Sequence, residues 1–588
     1  MKQSFILDGI ETVFRTQEEW DVLNAPASYT PNAEIPNPED YPVALRAKCA
    51  NGTFIGQHLE SGINAWFGIP FATQPVGALR FKKALPPPDS DKAYEAYHYM
   101  HYEYQPRYDG RPYDIKDMMG EDCLGLNIWS NPASDYEKKP VFVYVHGGGW
   151  YIGSSSNPLY RGELFTHYNP DILYISVDYR VGMYGQLNAS LFADGADYPD
   201  ACNNGLLDVV ESLRWIKKNI AAFGGDPDNI TLCGESAGGG CVSMVCALDC
   251  VLEEKLVQKA IPMSGNLSQA GRPDSTTKLP ELLKEYFNTD SLAYIAGLPA
   301  NRLADFWLRY GDSFHNCIMQ DGNTICEDPY ELYKNGKNRD IIFLQGFTGN
   351  ESKYYQHVFG DSEPLYRLLA KANIEKIKQL AADDAPFLAA FADYEASVRE
   401  LYGEEYEAYN RMLCDYSLGG GNYYQAWYHT KNGGKDYFYI FDKSYEGSWA
   451  PLGSAHAVDC NFLSGMFGAE EAPGKWEDLV LSRQFQKMIS NFCKTGNPSC
   501  DGVDWKPFNT ETGTLMYFGD DARFKLLDNY HYERYSNFIA AMDADSTLSL
   551  KYVLSQAYCY MVLQEMFGKD TFPDLYPPYK VTDYKQKL

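Results

Sequence analysis

The sequence predicts an α/β fold, a mostly parallel central sheet flanked by helices and carrying helical insertions. Three observations carry that expectation. Val141-Phe142-Val143-Tyr144-Val145 is a continuous apolar, β-branched and aromatic run, the pattern of a parallel strand buried on both faces. Asn229-Ile230-Thr231-Leu232-Cys233 is a second such run, and a small-residue, helix-compatible stretch from Ala237 to Leu248 follows it. Ile341-Ile342-Phe343-Leu344 and Tyr437-Phe438-Tyr439-Ile440-Phe441 repeat the strand signal further along the chain.

Residues 1–45 hold prolines at 26, 31, 36, 38 and 42 and read as an extended arm with little structure. Met1 to Gly9 has no sustained apolar core before acidic residues arrive, so it does not read as a signal peptide. The strand Val141–Val145 runs directly into His146-Gly147-Gly148-Gly149-Trp150. Three adjacent glycines expose backbone N–H groups, and such a loop can aim donors at a developing oxyanion. A plain flexible turn is the alternative. The position of the loop ahead of the next motif favours the first reading.

That motif is Gly234-Glu235-Ser236-Ala237-Gly238. A Gly-x-Ser-x-Gly pentapeptide can arise by chance in a long chain. Here a strand precedes it and a helix follows, which is the context of a nucleophile elbow. Glycines two residues either side of Ser236 let strand and helix backbones approach where a Cβ would clash.

A serine hydroxyl is a weak nucleophile and needs a base of near-neutral pKa, which points to histidine. Downstream of Ser236 lie His315, His357, His429, His456 and His531. The base belongs in a loop after a late strand, and Gly453-Ser454-Ala455-His456 lies beyond Tyr437–Phe441. His429 precedes that strand and His531 lies in a charged, Tyr-rich segment; both read as surface residues. His357 follows a Tyr-Tyr pair with no glycine turn. The acid falls between serine and histidine. Glu351 ends the loop Gln345–Glu351 after Ile341–Leu344, at a strand's carboxyl end, where open α/β sheets build their sites. A lone glutamate is usually a solvated surface charge; position and order outweigh that here. Asp442 sits too close to its strand's end to be preferred.

Longer stretches carry a resemblance. Glu121-Asp122-Cys123-Leu124-Gly125-Leu126-Asn127, Phe67-Gly68-Ile69-Pro70-Phe71-Ala72, Pro75-Val76-Gly77-Ala78-Leu79-Arg80-Phe81, Val177-Asp178-Tyr179-Arg180-Val181-Gly182, Asn219 to Pro227, and Lys494-Thr495-Gly496-Asn497-Pro498 occur in that family's blocks. From about Gly62 to the region of Phe518 the chain resembles a bacterial-type member of the type-B carboxylesterases, the family that also contains the cholinesterases.

The resemblance implies an α/β-hydrolase fold and hydrolysis of small-molecule carboxylic esters through an acyl-enzyme intermediate. It implies a triad of Ser236, His456 and Glu351, with an oxyanion hole from the N–H groups of Gly148, Gly149 and Ala237. His456 matches the family's Gly-x-x-His pattern, with Asp459 three residues on. Glu351 matches its Gly-x-x-x-x-Glu acid. The family usually has glycine next, and this chain has Ser352. Glu235 is expected to support the elbow through buried hydrogen bonds, and Asp321 to hold a structural turn. No metal or organic cofactor is called for, and no zinc-type Cys/His spacing occurs. Amidases and lactonases share the same triad. The family also includes adhesion proteins that keep the fold without the serine; an intact Ser236, Glu351 and His456 argue against that class.

Length alone suggests roughly four domains of ~150 residues. Ser236 and His456 must meet, so one large unit is expected instead: an arm over 1–45, a hydrolase domain over 46–540 and a helical extension over 541–588. The longest insertions are expected from about Ala270 to Asn338 and from Glu363 to Gly421. The net charge of −28 argues against nucleic-acid binding, since phosphate contacts need clustered Lys and Arg. Steering of cationic substrates is a further reading, but residues 92–122 hold many tyrosines and lack the tryptophan that cholinesterases use, and Tyr113 would make only a weak cation–π surface in its place.

No run approaches the ~20 apolar residues of a membrane span. The chain has 14 cysteines with no disulfide framework in their spacing. Secreted relatives pair the cysteine of Glu-Asp-Cys with one upstream, and Cys123 finds no such partner after Cys49. These features favour a reducing cytoplasm. Ser546 to Phe567 is long and apolar, with Asp545 or Ser546 as a start and Gly568 as an end. It is expected to pack on its own domain, to form a homodimer contact or to cover the site.

Overall fold

The alternation of side chains along one strand sets the architecture. In Lys139–Val145, Val141, Val143 and Val145 enter one apolar cluster, while Phe142 and Tyr144 enter a second on the opposite face. Both faces are therefore covered, as a parallel sheet requires. The computed structural model describes residues 4–7, 9–13, 29–105, 118–269, 278–311, 317–354, 356, 363–403, 405–444, 446–465, 475–521 and 523–545.

The main sheet has 11 strands among the described residues. In chain order these are β1 (Gln57–His58), β2 (Asn64–Pro70), β3 (Gly125–Ser130), β4 (Lys139–Val145), β5 (Leu173–Val177) and β6 (Gly225–Glu235). They continue as β7 (Lys259–Met263), β8 (Ile342–Thr348), β9 (Asp436–Phe441), β10 (Leu515–Phe518) and β11 (Phe524–Leu527). Their spatial order is β11-β10-β9-β8-β7-β6-β4-β5-β3-β2-β1. Every pairing from β10 to β5 is parallel, and the edges are antiparallel. The chain crosses over between β4, β5 and β6. Such a switch point opens a crevice at the carboxyl ends of neighbouring strands.

Helices cover both faces. Among them are α1 (Asn204–Asn219), α2 (Ala237–Val245), α3 (Lys278–Phe287) and α4 (Ala300–Tyr310). After β8 come α5 (Glu363–Leu380), α6 (Ala385–Tyr402), α7 (Glu405–Cys414) and α8 (Gly420–Lys431). A π-helical turn, Asp415–Gly419, joins α7 to α8. The later helices are α9 (Trp476–Thr495) and α10 (Tyr532–Ala544). The described residues of the regions expected as insertions are largely helical, and α6 packs along α10.

Residues 4–13 form a hairpin, Ser4–Leu7 with Ile10–Val13. Thr12 is fully buried and accepts a hydrogen bond from Arg483 of α9 at 3.0 Å. Residues 34–35, 46–49, 52–55 and 93–95 form a separate small sheet. Asp321 does hold a turn: its Oδ1 accepts from the N–H groups of Asn323, Thr324 and Ile325. The helix expected at 546–567, and with it a homodimer contact, lies outside the described residues, as do Tyr113, His315 and His357. Among the described residues no helix is long and apolar enough to cross a membrane.

Candidate active site

Strand β6 ends at Glu235 and α2 begins at Ala237, so Ser236 alone makes the turn. Its φ of 58° and ψ of −125° lie in a region that L-residues rarely occupy. Such backbone costs about 1–3 kcal/mol and persists only when neighbours over-determine it. Here they do. Ser236 N donates to Met263 O at 3.0 Å and Gly240 N donates to Ser236 O at 2.9 Å. A Cβ on Gly238 would stand 2.1 Å from Val145 O, so only glycine lets α2 start this close to β4.

The loop after β4 faces the elbow. Gly148 and Gly149 take φ of 106° and 62°. Among the described residues, the N–H groups of Gly148, Gly149 and Ala237 donate to no backbone carbonyl. Several contacts hold this loop. Tyr179 donates to His146 O at 2.9 Å and stacks on the His146 ring at 4.4 Å. His146 is buried, and the loss of solvent pushes its pKa down to about 4, so the ring is neutral at ordinary pH. Trp150 Nε1 donates to Cys241 Sγ at 3.2 Å. Gln105, 1% exposed, grips the Gly153 peptide from both sides, accepting from its N–H at 2.8 Å and donating to its carbonyl at 3.0 Å.

His456 follows β9 and Glu351 follows β8, and the two meet. Glu351 Oε2 accepts from His456 Nδ1 at 2.6 Å. Its Oε1 accepts from Ser264 Oγ at 2.5 Å and from Thr348 N at 2.7 Å. Three donors fix the direction of a carboxylate that is only 1% exposed. A proton on Nδ1 leaves Nε2 as the ring's acceptor. Neither Ser264 nor Thr348 is evident from sequence reasoning. Ser264 could have been found by the rule that located Glu351, since it is the first polar residue after the carboxyl end of β7.

Glu235 also reaches the imidazole. Its Oε1 lies 3.2 Å from His456 Nε2. This close approach is not a hydrogen bond, and Oε1 is buried without a hydrogen-bond partner. The expected network of buried hydrogen bonds around this carboxyl is thus incomplete on that oxygen. Burial pushes the Glu235 carboxyl above the ordinary range, His456 opposes this, and Asp459 and Glu351 reinforce it. Burial alone would lower the His456 pKa, but Glu235, and then Glu351 with its hydrogen bond, outweigh that and raise it. Asp459 is fully buried, accepts from Tyr439 at 2.8 Å, and is pushed up to about 7 by burial, with Glu351 adding to the rise.

The other histidines divide differently from expectation. His429 is not a surface residue: it is fully buried, with Nδ1 against Asp436, because α8 packs over the start of β9. His531 is half-buried at the start of α10. Neither contacts Ser236, Glu351 or His456 among the described residues. Cys123 is a free buried thiol that donates to Glu103 Oε2 at 3.6 Å, so a buried carboxyl takes the place expected of a disulfide partner. Desolvation holds the Glu103 pKa well above the ordinary range.

A serine at a strained strand-to-helix turn, a glycine loop with free donors and a carboxylate–imidazole pair on successive strand ends define an α/β-hydrolase. The chain belongs to the carboxylesterase family, whose model matches residues 44–538. It is 30% identical to the para-nitrobenzyl esterase of Bacillus subtilis over 478 residues, covering 77% of this chain and 90% of that protein. It is 36% identical to the acetylcholinesterase of Leptinotarsa decemlineata over 507 residues, covering 78% of this chain and 79% of that one. The crystal structure of the Geobacillus stearothermophilus carboxylesterase superposes with a TM-score of 0.71 at 27% identity, covering 84% of this chain and 99% of that one. The chain is a carboxylic ester hydrolase of the bacterial type.

Proposed function

We propose that Ser236 is the nucleophile of this hydrolase, His456 its general base and acid, and Glu351 the residue that orients and stabilises the imidazole. The observation that carries this reading is the Glu351 Oε2–His456 Nδ1 hydrogen bond, which leaves Nε2 to take a proton. Ser236 Oγ attacks the ester carbonyl as His456 accepts its proton. The tetrahedral oxyanion receives hydrogen bonds from the N–H groups of Gly148, Gly149 and Ala237, which have no competing backbone acceptor among the described residues. The imidazolium then protonates the leaving alcohol. Water, activated by the same nitrogen, clears the acyl-enzyme.

The substrate is a small carboxylic ester. Relatives that act on para-nitrobenzyl esters and on acetylcholine support small alcohol groups, and the lack of a tryptophan in residues 92–122 weighs against the cationic kind. The test is hydrolysis of p-nitrophenyl esters of increasing acyl length, with matched anilides as an amide control. Ser236→Ala is expected to lower kcat by roughly 10⁴-fold or more. Activity that survives this substitution would reject Ser236 as nucleophile.

A further inference from the structure

The acid loop departs from its family pattern at Ser352, and this position carries an inference that rests on the triad reading above. Ser352 is fully buried and directly follows the acid. Its hydroxyl lies 2.7 Å from Tyr366 Oη on α5 and 3.0 Å from Cys414 Sγ at the end of α7. Tyr366 in turn donates to Asn410 Oδ1 on α7. Tyr366 and Asn410 are also fully buried.

The donors can be ordered without conflict. Tyr366 has one proton and gives it to Asn410 Oδ1, the shorter contact, so Ser352 donates to Tyr366, with a longer reach of 3.4 Å to the same Asn410 oxygen, and accepts from the Cys414 thiol. Asn410 Nδ2 then donates to Asn350 Oδ1 at 3.4 Å, and Asn350 Nδ2 donates to Ser454 Oγ at 3.3 Å. Ser454 passes its proton to Asp442 Oδ1, whose other oxygen accepts from Tyr517 at 2.7 Å. The two amide links are long and therefore weak. Firmer bonds flank them: Asn350 N donates to Ser454 O at 2.9 Å, and Arg411 of α7 donates to Gly349 O. A one-directional chain therefore starts in the helical insertion, crosses the loop of Glu351 and ends in the loop of His456. Loss of either the Ser352 or the Tyr366 hydroxyl breaks the 2.7 Å link between the acid loop and α5; without Tyr366, Ser352 keeps only its 3.4 Å reach to Asn410 Oδ1.

We propose that Ser352, Tyr366 and Asn410 are positioning residues that latch the acid loop to the α5–α7 insertion and thereby set the alignment of Glu351 with His456. The family's usual glycine has no side chain with which to make this latch. In this chain the insertion is part of the catalytic support rather than a cover alone.

Ser352→Ala and Tyr366→Phe each remove one hydroxyl and keep the packing. Both should lower kcat for a p-nitrophenyl ester by about tenfold or more, with KM little changed, because misplaced catalytic groups lose transition-state stabilisation. The pH dependence of kcat/KM should move to lower pH in both, since an imidazole less firmly held by Glu351 is less basic. Tyr394→Phe is the matched control. It removes a buried hydroxyl of the same helical layer, one that donates to Asp415 at 2.6 Å and touches neither loop. It should lower the melting temperature and leave kcat and the pH profile unchanged. Wild-type kcat and pH profile in folded Ser352→Ala and Tyr366→Phe, beside an inactive Glu351→Gln, would overturn the latch alone. Full activity in Glu351→Gln would overturn the acid assignment and the latch with it.

Discussion

Glu235 and Glu351 hold opposite ends of one imidazole: Glu351 accepts from His456 Nδ1 at 2.6 Å, while Glu235 Oε1 stands 3.2 Å from Nε2. The second contact is the unusual one. It puts a carboxyl on the nitrogen that must take the serine's proton. Burial favours the neutral acid at Glu235, and the ring's pKa depends on whether that acid is ionised.

The pH dependence follows with a definite sign. The base works only when neutral, and the net effect of Glu235 and Glu351 is to raise its pKa above the ordinary 6.5. The acidic limb of kcat/KM is therefore expected above that value, with activity still climbing through neutral pH. Glu235→Gln removes the largest raising influence and should shift the limb downwards. A limb that stays in place in this variant would show that Glu235 carries no charge where the base titrates.

The elbow stores strain that function needs. Ser236→Gly keeps the turn and frees it from the steric cost of a Cβ at φ 58°. Against this stands the larger chain entropy of an unfolded glycine, about 0.5–1 kcal/mol. The expected balance is an inactive protein as stable as wild type or more stable by about 1 kcal/mol. Thermal and urea unfolding would measure it, and a clear loss of stability would argue that the turn is relaxed.

Why some of this was legible in sequence and some was not has a physical basis. The elbow, the glycine loop and Glu351 depend on local chain geometry, and local geometry leaves a local pattern: glycines at fixed offsets and a strand before a turn. His456 needed only order along the chain. Ser264's bond to Glu351 and Glu235's approach to Nε2 join strand ends that are adjacent in space but distant in sequence, and no spacing records the pairing; Thr348 acts through its backbone N–H, which its residue type does not reveal. His429 was misread for the same reason. Its burial comes from α8 lying on the sheet, which brings the imidazole against Asp436. The hairpin at 4–13 has no strong strand signal of its own; Thr12 is held by Arg483, far along the chain.

The glycine loop makes a steric prediction. A Cβ on Gly148 would meet Ile152 O at 2.2 Å, and the residue's φ of 106° suits only glycine. Gly148→Ala should therefore displace the loop's N–H groups from the oxyanion. Loss of one such donor costs about 10²–10³ in kcat. Burst kinetics should show acylation slowed while substrate binding is largely kept. An unchanged acylation rate would place the oxyanion elsewhere.

The π-helical turn between α7 and α8 is held by a buried ion pair. Asp415 sits there fully buried and accepts from Arg534 of α10 through Nε at 2.8 Å and through Nη2, and from Tyr394 at 2.6 Å. Arg534 also donates to Tyr402 at 2.9 Å and is itself 3% exposed. The pair ties the last described helix to the insertion that carries Asn410. Arg534→Met strands a buried carboxylate, and breaking such a pair from one side costs about 3–5 kcal/mol. Replacing both partners, Arg534→Met with Asp415→Leu, removes the stranded charge and should recover most of that loss, because a buried ion pair is worth little against apolar packing. Chemical denaturation of the two variants measures the difference. If the double variant is no more stable than the single one, the bond's role is geometric, and the π-turn itself requires Asp415.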